Sequence, residues 1–244
     1  KRTWAALFFI VLVIPLVLVG LGTRMQTMKW EFSLFGFPVV WRLHYAVSLL
    51  IILCTMIPFF MVFEKRKPQA RELIVIATLS AIAVVGRLAF FMLPQFKPVC
   101  AIVIIAGVCF GAESGFLVGA VTGFVSNFFF GQGLYTPWQM FCFGIVGFLA
   151  GILFKKGMLP KKRIPLCIYG GLSVFLLYGG IINLAGVLNA GVPLTWPFIL
   201  TQYLSAIPFD LLHAGATVFF LFILSDVMIE KLERIKTKYG LIEP

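Results

Sequence analysis

Charge is scarce in this chain. Of 244 residues, Asp and Glu supply nine, His supplies two, and all charged residues together make up 12%. A soluble domain carries about 25% charged residues and is nearer 45–50% apolar. Here 61% of residues are hydrophobic and the mean hydropathy is +1.05. Such a composition cannot clothe a water-facing surface, so the chain reads as an integral membrane protein. Period-two alternation is missing, which excludes a β-barrel; helices remain the way to satisfy backbone groups in lipid. There is no Gly-x-x-x-x-Gly-Lys-Ser/Thr run, so no phosphate-binding ATPase loop. The five cysteines (Cys54, Cys100, Cys109, Cys142, Cys167) lie in or beside apolar runs and form no Cys-x-x-Cys pair. They read as small buried hydrophobes rather than metal ligands or disulfides. His44 and His213 lack ligand-type neighbours at useful spacing, so neither a metal site, a catalytic dyad nor a resident cofactor is expected. No internal repeat of the kind found in inverted-repeat transporters is visible.

What the chain has in abundance is long apolar runs. Against a requirement of roughly 20 residues per span, the candidates are 4–22, 43–63, 72–92, 98–112, 115–130, 138–155, 165–188 and 200–228. The run from Trp4 to Gly22 follows Lys1 and Arg2 without a small-residue cleavage site, and reads as a retained span. The net charge of +11 would suit nucleic acid, but the cations cluster between the apolar runs and are a topology signal instead. With eight spans, both ends share one side with the clusters at 64–71, 155–163 and 231–238. The other side holds only Arg24, Lys29, Arg42 and Lys97, while Arg87 lies within a span. Both termini are therefore expected in the cytoplasm, with outer loops at 93–97, 131–137 and 189–199. The charged, proline-bearing stretch 64–71 divides the chain into a two-span extension (1–66) and a six-span core (67–244). The expected fold class is an all-α membrane protein.

Several patterns carry chemistry. Gly107, Gly111, Gly115, Gly119 and Gly123 recur every fourth residue, and Gly144, Gly147 and Gly151 continue the theme, which predicts close helix packing. Ala77 and Ala81, with Ala83 nearby, form a small face that either packs inside the bundle or stays free for a partner helix. Arg87, Asp210 and His213 are the ionisable groups within spans, and each should face the bundle interior, a partner or water. Asp210 and His213 share one helical face. An Arg87–Asp210 pair joining the first and last core helices is one expectation; a proton relay or a substrate contact is the other. The outer loops are rich in amides, hydroxyls and aromatics: Phe96 in the first, Asn127, Gln132, Tyr135, Thr136, Trp138 and Gln139 around the second, and Asn183, Asn189 and Trp196 around the third. Trp4, Trp30 and Trp41 suit interfacial anchors. The amides of the second loop suit a polar, partly planar ligand better than an anchoring role.

These residues resemble a known family. The features that carry the resemblance are Ala77-x-x-x-Ala81, Lys97-Pro98, Asn127-Phe-Phe-Phe-Gly-Gln-Gly-Leu-Tyr-Thr-Pro-Trp-Gln-Met140, Pro208-Phe-Asp-Leu-Leu-His213 and Leu232-Glu-Arg-Ile-Lys-Thr-Lys-Tyr-Gly240. Over roughly residues 68–244 the chain is similar to the substrate-binding S component of energy-coupling factor (ECF) vitamin transporters. Among the branches it looks most like the cobalamin-specific S component of lactic acid bacteria. The resemblance implies a six-helix core in a bacterial cell membrane, binding a vitamin at the outer face. It also implies a transmembrane coupling subunit and two cytoplasmic ATPases as partners, docking of Ala77 and Ala81 on the coupling subunit, and toppling of the loaded core in the bilayer. Cobalamin enters as transported substrate rather than cofactor, and amide-lined, nearly charge-free loops suit it. Pantothenate or a pyridoxine-like compound is the alternative within transport; an intramembrane enzyme using Asp210 and His213, or a membrane scaffold, lies outside it. The extension at 1–66 departs from the six-helix pattern.

Overall fold

The computed structural model describes residues 29–34, 37–42, part of 49–65, 68–190 and 192–240. The first expected span, 4–22, and Trp4 lie outside the described residues. Within the extension, Lys29–Leu34 (β1) and Phe37–Arg42 (β2) pair as an antiparallel hairpin with Trp30 opposite Trp41. This hairpin was not anticipated, although its aromatic and β-branched residues favour strands. Elsewhere the described chain is helical, as expected for the fold class.

Six helices form the core: α1 (Ala70–Ala89), α2 (Val99–Phe110), α3 (Ala112–Phe130), α4 (Thr136–Lys155), α5 (Arg163–Asn189) and α6 (Trp196–Tyr239). Five are long and apolar enough to cross a membrane. The exception, α2, has 12 residues and a length of about 18 Å, short of a ~30 Å hydrocarbon core. All of its residues are buried, as befits a helix that is apolar all round. It therefore forms the centre about which the other helices are arranged.

The glycines explain how the centre closes. Gly111, at φ +103°, is the single residue between α2 and α3, a conformation that suits glycine and reverses the chain at once. A Cβ on Gly147 of α4 would stand 2.5 Å from the Gly115 carbonyl oxygen of α3, so these helices touch backbone to backbone. The expectation of close packing from the four-residue glycine spacing is met.

Hydrogen bonds and ion pairs fix the end opposite the hairpin turns at Gln95, Tyr135 and Thr195. Arg71 of α1 donates to the Tyr239 carbonyl of α6, Lys155 of α4 donates to the Phe110 carbonyl of α2, and Lys161 pairs with Glu233 at 2.8 Å. The basic clusters of the core thus gather at one end, as the charge pattern predicted. At 1.5 Å per residue, the 44 residues of α6 extend about 66 Å, well beyond a bilayer core, so its charged C-terminal turns lie outside the apolar zone.

The described residues of 49–65 are helical and bury Ile52, Met56, Phe59 and Phe63, a spacing that selects one helical face. Phe59 stacks on Phe116 of α3, with centroids 4.1 Å apart and planes at 6°, and meets Phe148 of α4 edge-on at 4.9 Å. This part of the extension is seated on the core.

Candidate functional site

At the other end, a cavity of about 810 Å³ opens among α1, α4, α5 and α6 and the loops that join them. Its wall is built by two departures from regular helix. The residues Val174–Gly179 form a π turn within α5, the kind of helical insertion often found at functional sites. Tyr178 and Gly179 lie in that turn. Tyr178 stacks edge-on against His213 of α6 at 4.7 Å, and Gly179 leaves room for the Asp210 carboxylate, which a Cβ there would approach to 2.9 Å. The second departure is the loop between α1 and α2, where Gln95 adopts φ +55°, a left-handed conformation uncommon for a residue with a side chain. Pro94, Gln95 and Lys97 of that loop all line the cavity.

Of the residues expected at the site, Tyr135, Gln139, Asn183 and Asn189 line the cavity, as do Arg87, Asp210 and His213. Gln139 donates from Nε2 to the Tyr178 hydroxyl at 3.2 Å, while its Oε1 is buried without a protein partner. Asn183 donates to Asp210 at 2.7 Å. His213 Nε2 lies 3.5 Å from Cys100 Sγ.

The remaining loop residues stand behind the wall. Asn127 is fully buried: its Oδ1 accepts from Arg87 at 2.8 Å and its Nδ2 donates to Thr136 Oγ1 at 3.2 Å. Thr136 also accepts from the Gly133 amide at 3.1 Å and donates to Gln132 Oε1 at 2.9 Å. Gln132 spends its other end on the Phe124 carbonyl at 3.0 Å. These three side chains therefore knit the turn between α3 and α4 to itself. Trp138 is 2% exposed and part of the core. Phe96 packs its ring against Phe90 and Phe220, fastening the α1–α2 loop. Trp196 begins α6 and is 81% exposed, outside the cavity wall. Ala77 and Ala81 are exposed on the outward face of α1.

The expected Arg87–Asp210 ion pair is not formed. Arg87 donates instead to Ser126 and Asn127 of α3 and lies over the Phe130 ring, its guanidinium carbon 4.3 Å from the centroid. Asp210 takes its hydrogen bond from Asn183. Both line one cavity, each satisfied by a neutral neighbour on its own wall. Lys97, outside the spans, donates to the Leu93 carbonyl at 2.6 Å. Burial, and then the charge of Arg87, hold its pKa below the ordinary lysine value.

Tyr178, Phe143, Phe130 and Phe209 also line the cavity and were not singled out in the sequence. A tyrosine in the middle of an apolar run was the available signal for the first. The three phenylalanines are indistinguishable in sequence from the many that face lipid.

Comparison with known proteins places this architecture. Residues 71–225 match the family model described as the substrate-specific component of ECF transporters. A UPF0397 protein of Vibrio atlanticus is 31% identical over 122 residues, covering 47% of this chain and 66% of the relative. A UPF0397 protein of Aliivibrio salmonicida is 31% identical over 113 residues (44% of this chain, 60% of the relative), and one of Aliivibrio fischeri is 34% identical over 106 residues (38% and 57%). The chain thus spans a little under two thirds of the length of these relatives. No solved structure matches the chain. Because the family match takes in well over half of the residues, the chain belongs to the ECF transporter substrate-specific component family, and its five long apolar helices make it a multi-pass membrane protein.

Proposed function

We propose that this chain captures a vitamin for an ATP-driven importer, with cobalamin as the ligand. The observation that carries the reading is Gln139. Gln139 lines the cavity, and its Oε1 is buried with no protein partner. A buried acceptor left unpaired costs about 1–3 kcal/mol, so the side chain is set to receive a donor from a guest. Cobalamin is rich in amide N–H groups that can supply it. Around Gln139 stand Asn183, Asn189 and Tyr135, with Phe143 and Phe209 offering flat apolar faces. A cavity of about 810 Å³ is in the upper part of the usual 300–1,000 Å³ range, which suits a large guest.

In this reading the cavity end faces outside and the basic end faces the cytoplasm, in keeping with the positive-inside rule. Ala77 and Ala81 dock on a membrane-embedded coupling subunit, and two cytoplasmic ATPases supply the energy. A smaller vitamin bearing an acid group is the second reading, favoured by Arg87 and Lys97 on the cavity wall.

Equilibrium titration of the purified full chain with cobalamin, followed by its visible absorbance, tests the reading. Saturable binding is expected, with Gln139→Ala weakening it roughly tenfold, the loss of one hydrogen bond in a dry site. No saturable cobalamin binding by a folded chain, or equal affinity in the variant, would overturn it. Displacement by pantothenate without cobalamin binding would favour the second reading.

A further inference from the structure

The cavity wall is unequal in charge. Among the described lining residues, Arg87 and Lys97 are basic and Asp210 alone is acidic. Arg87 is 8% exposed and sits within a membrane span. A buried guanidinium is normally matched by a carboxylate, because an uncompensated charge in a low-dielectric interior is costly. Here its hydrogen-bond acceptors are Ser126 and Asn127, which orient the group through Nη1 without cancelling its charge. The Phe130 face beneath it offsets only part of the cost. Lys97 approaches the same ring, with Nζ 5.7 Å from the centroid, and its hydrogen bond is to a carbonyl. The two cations therefore flank one aromatic ring at one side of the cavity and lower each other's stability. The carboxylate on the wall, Asp210, is occupied by Asn183 on α5.

We infer that Arg87 and Lys97 form an oxyanion subsite, and that the transported molecule carries a carboxylate or phosphate group lodged between them and Phe130. This rests on the reading of the cavity as the substrate site and names the group held there: the phosphodiester of the nucleotide loop if the guest is cobalamin, the acid group if it is a smaller vitamin. A planar guanidinium pre-set by Ser126 and Asn127 presents a fork that matches either oxyanion. Lys97, half-buried on the α1–α2 loop, adds a second positive charge on the same side of the cavity. Loading the anion neutralises the excess positive charge before the subunit delivers its cargo, so the filled site is less costly to hold in the membrane than the empty one.

The test uses the full chain in detergent micelles, with inorganic phosphate and acetate as probes at constant ionic strength and pH. Unfolding temperature, read by intrinsic fluorescence, should rise by about 2 °C or more once one of these anions exceeds its dissociation constant severalfold. Chloride at matched strength should not produce the rise. Arg87→Gln erases it, Lys97→Gln reduces it, and Arg87→Lys keeps part of it, since the charge stays while the fork is lost. The anion that gives the larger rise identifies the group. Among vitamins, pantothenate should then bind at least tenfold more tightly than pantothenol, which replaces the carboxylate with an alcohol, if the group is a carboxylate. Absence of any anion-specific rise in the wild-type chain overturns the inference. So does a rise that survives undiminished in Lys97→Gln, a variant on the half-buried α1–α2 loop that tests the idea even if Arg87→Gln fails to fold. An Arg87-dependent rise without binding of any vitamin upholds the subsite and removes the vitamin reading; cobalamin binding without any anion-specific rise does the reverse.

Discussion

Asn127 shows how much one side chain settles at this site. It is fully buried, 40 positions from Arg87 in the chain, and its amide serves both the guanidinium and Thr136. Replacing it with Ala leaves a buried charge short of an acceptor and a hydroxyl short of a donor. Asn127→Ala should therefore destabilise the chain by about 1–3 kcal/mol, read as a lower unfolding temperature in detergent. Asn127→Asp makes the opposite change, placing a carboxylate where the amide oxygen now lies 2.8 Å from Arg87. Its expected outcome is a folded chain in which the Arg87 charge is already met, so that added phosphate or acetate no longer raises the unfolding temperature. An undiminished anion response in Asn127→Asp would contradict the role given to Arg87.

At the scale of elements, the contacts that matter are those a sequence reader would discount. Phe59 belongs to the extension, yet its ring is sandwiched by Phe116 and Phe148 of the core. Phe59→Ala should lower stability by about 3 kcal/mol, the lower end for a buried phenylalanine, since lipid tails can occupy part of the vacancy. Thermal unfolding of the purified chain measures this, and an unchanged midpoint would show that the Phe59 contact is dispensable to the core. The α3–α4 contact is tighter still. Gly147→Ala pushes a methyl to within 2.5 Å of the Gly115 carbonyl oxygen, a clash of backbone against backbone that no rotamer relieves. An overpacking cost of about 1–3 kcal/mol is expected, visible in the same assay.

For the whole molecule, two surfaces divide the work. The cavity and its polar wall occupy one end, while Ile74, Ala77, Ala81 and Val85 run along the outward face of α1, all exposed. Small residues there let a partner helix approach closely. Under the proposed assignment, Ala81→Trp should abolish vitamin uptake by cells that also supply the coupling subunit and ATPases, and leave binding by the isolated chain unchanged. Normal uptake by that variant would place the docking surface elsewhere. The 44-residue α6 links the two ends: it carries Asp210 and His213 at the cavity and Glu233, paired with Lys161, at the basic end.

Membrane residence, the six core helices and the gathering of basic residues at one end were all legible in the sequence, because each follows from hydropathy and charge summed along the chain. The run expected to span at 98–112, however, folds into a helix of 12 residues, too short to cross. Backbone groups in lipid must be satisfied locally, so an apolar run of sufficient length is a helix whatever its neighbours are. The four-residue glycine spacing was legible for the same reason, being a property of one helix face. Tertiary structure alone decided the allocation of the polar side chains. Tyr135 and Gln139 reach the cavity while Asn127, Gln132 and Thr136, from the same short stretch, brace the turn behind it. Arg87 chose Asn127 rather than Asp210, and Gln139 met Tyr178 some 39 positions away. Such choices depend on which groups a fold brings within about 3 Å of each other, a distance set by the π turn in α5, the reversal at Gly111 and the loop at Gln95, none of which leaves a periodic trace in the sequence.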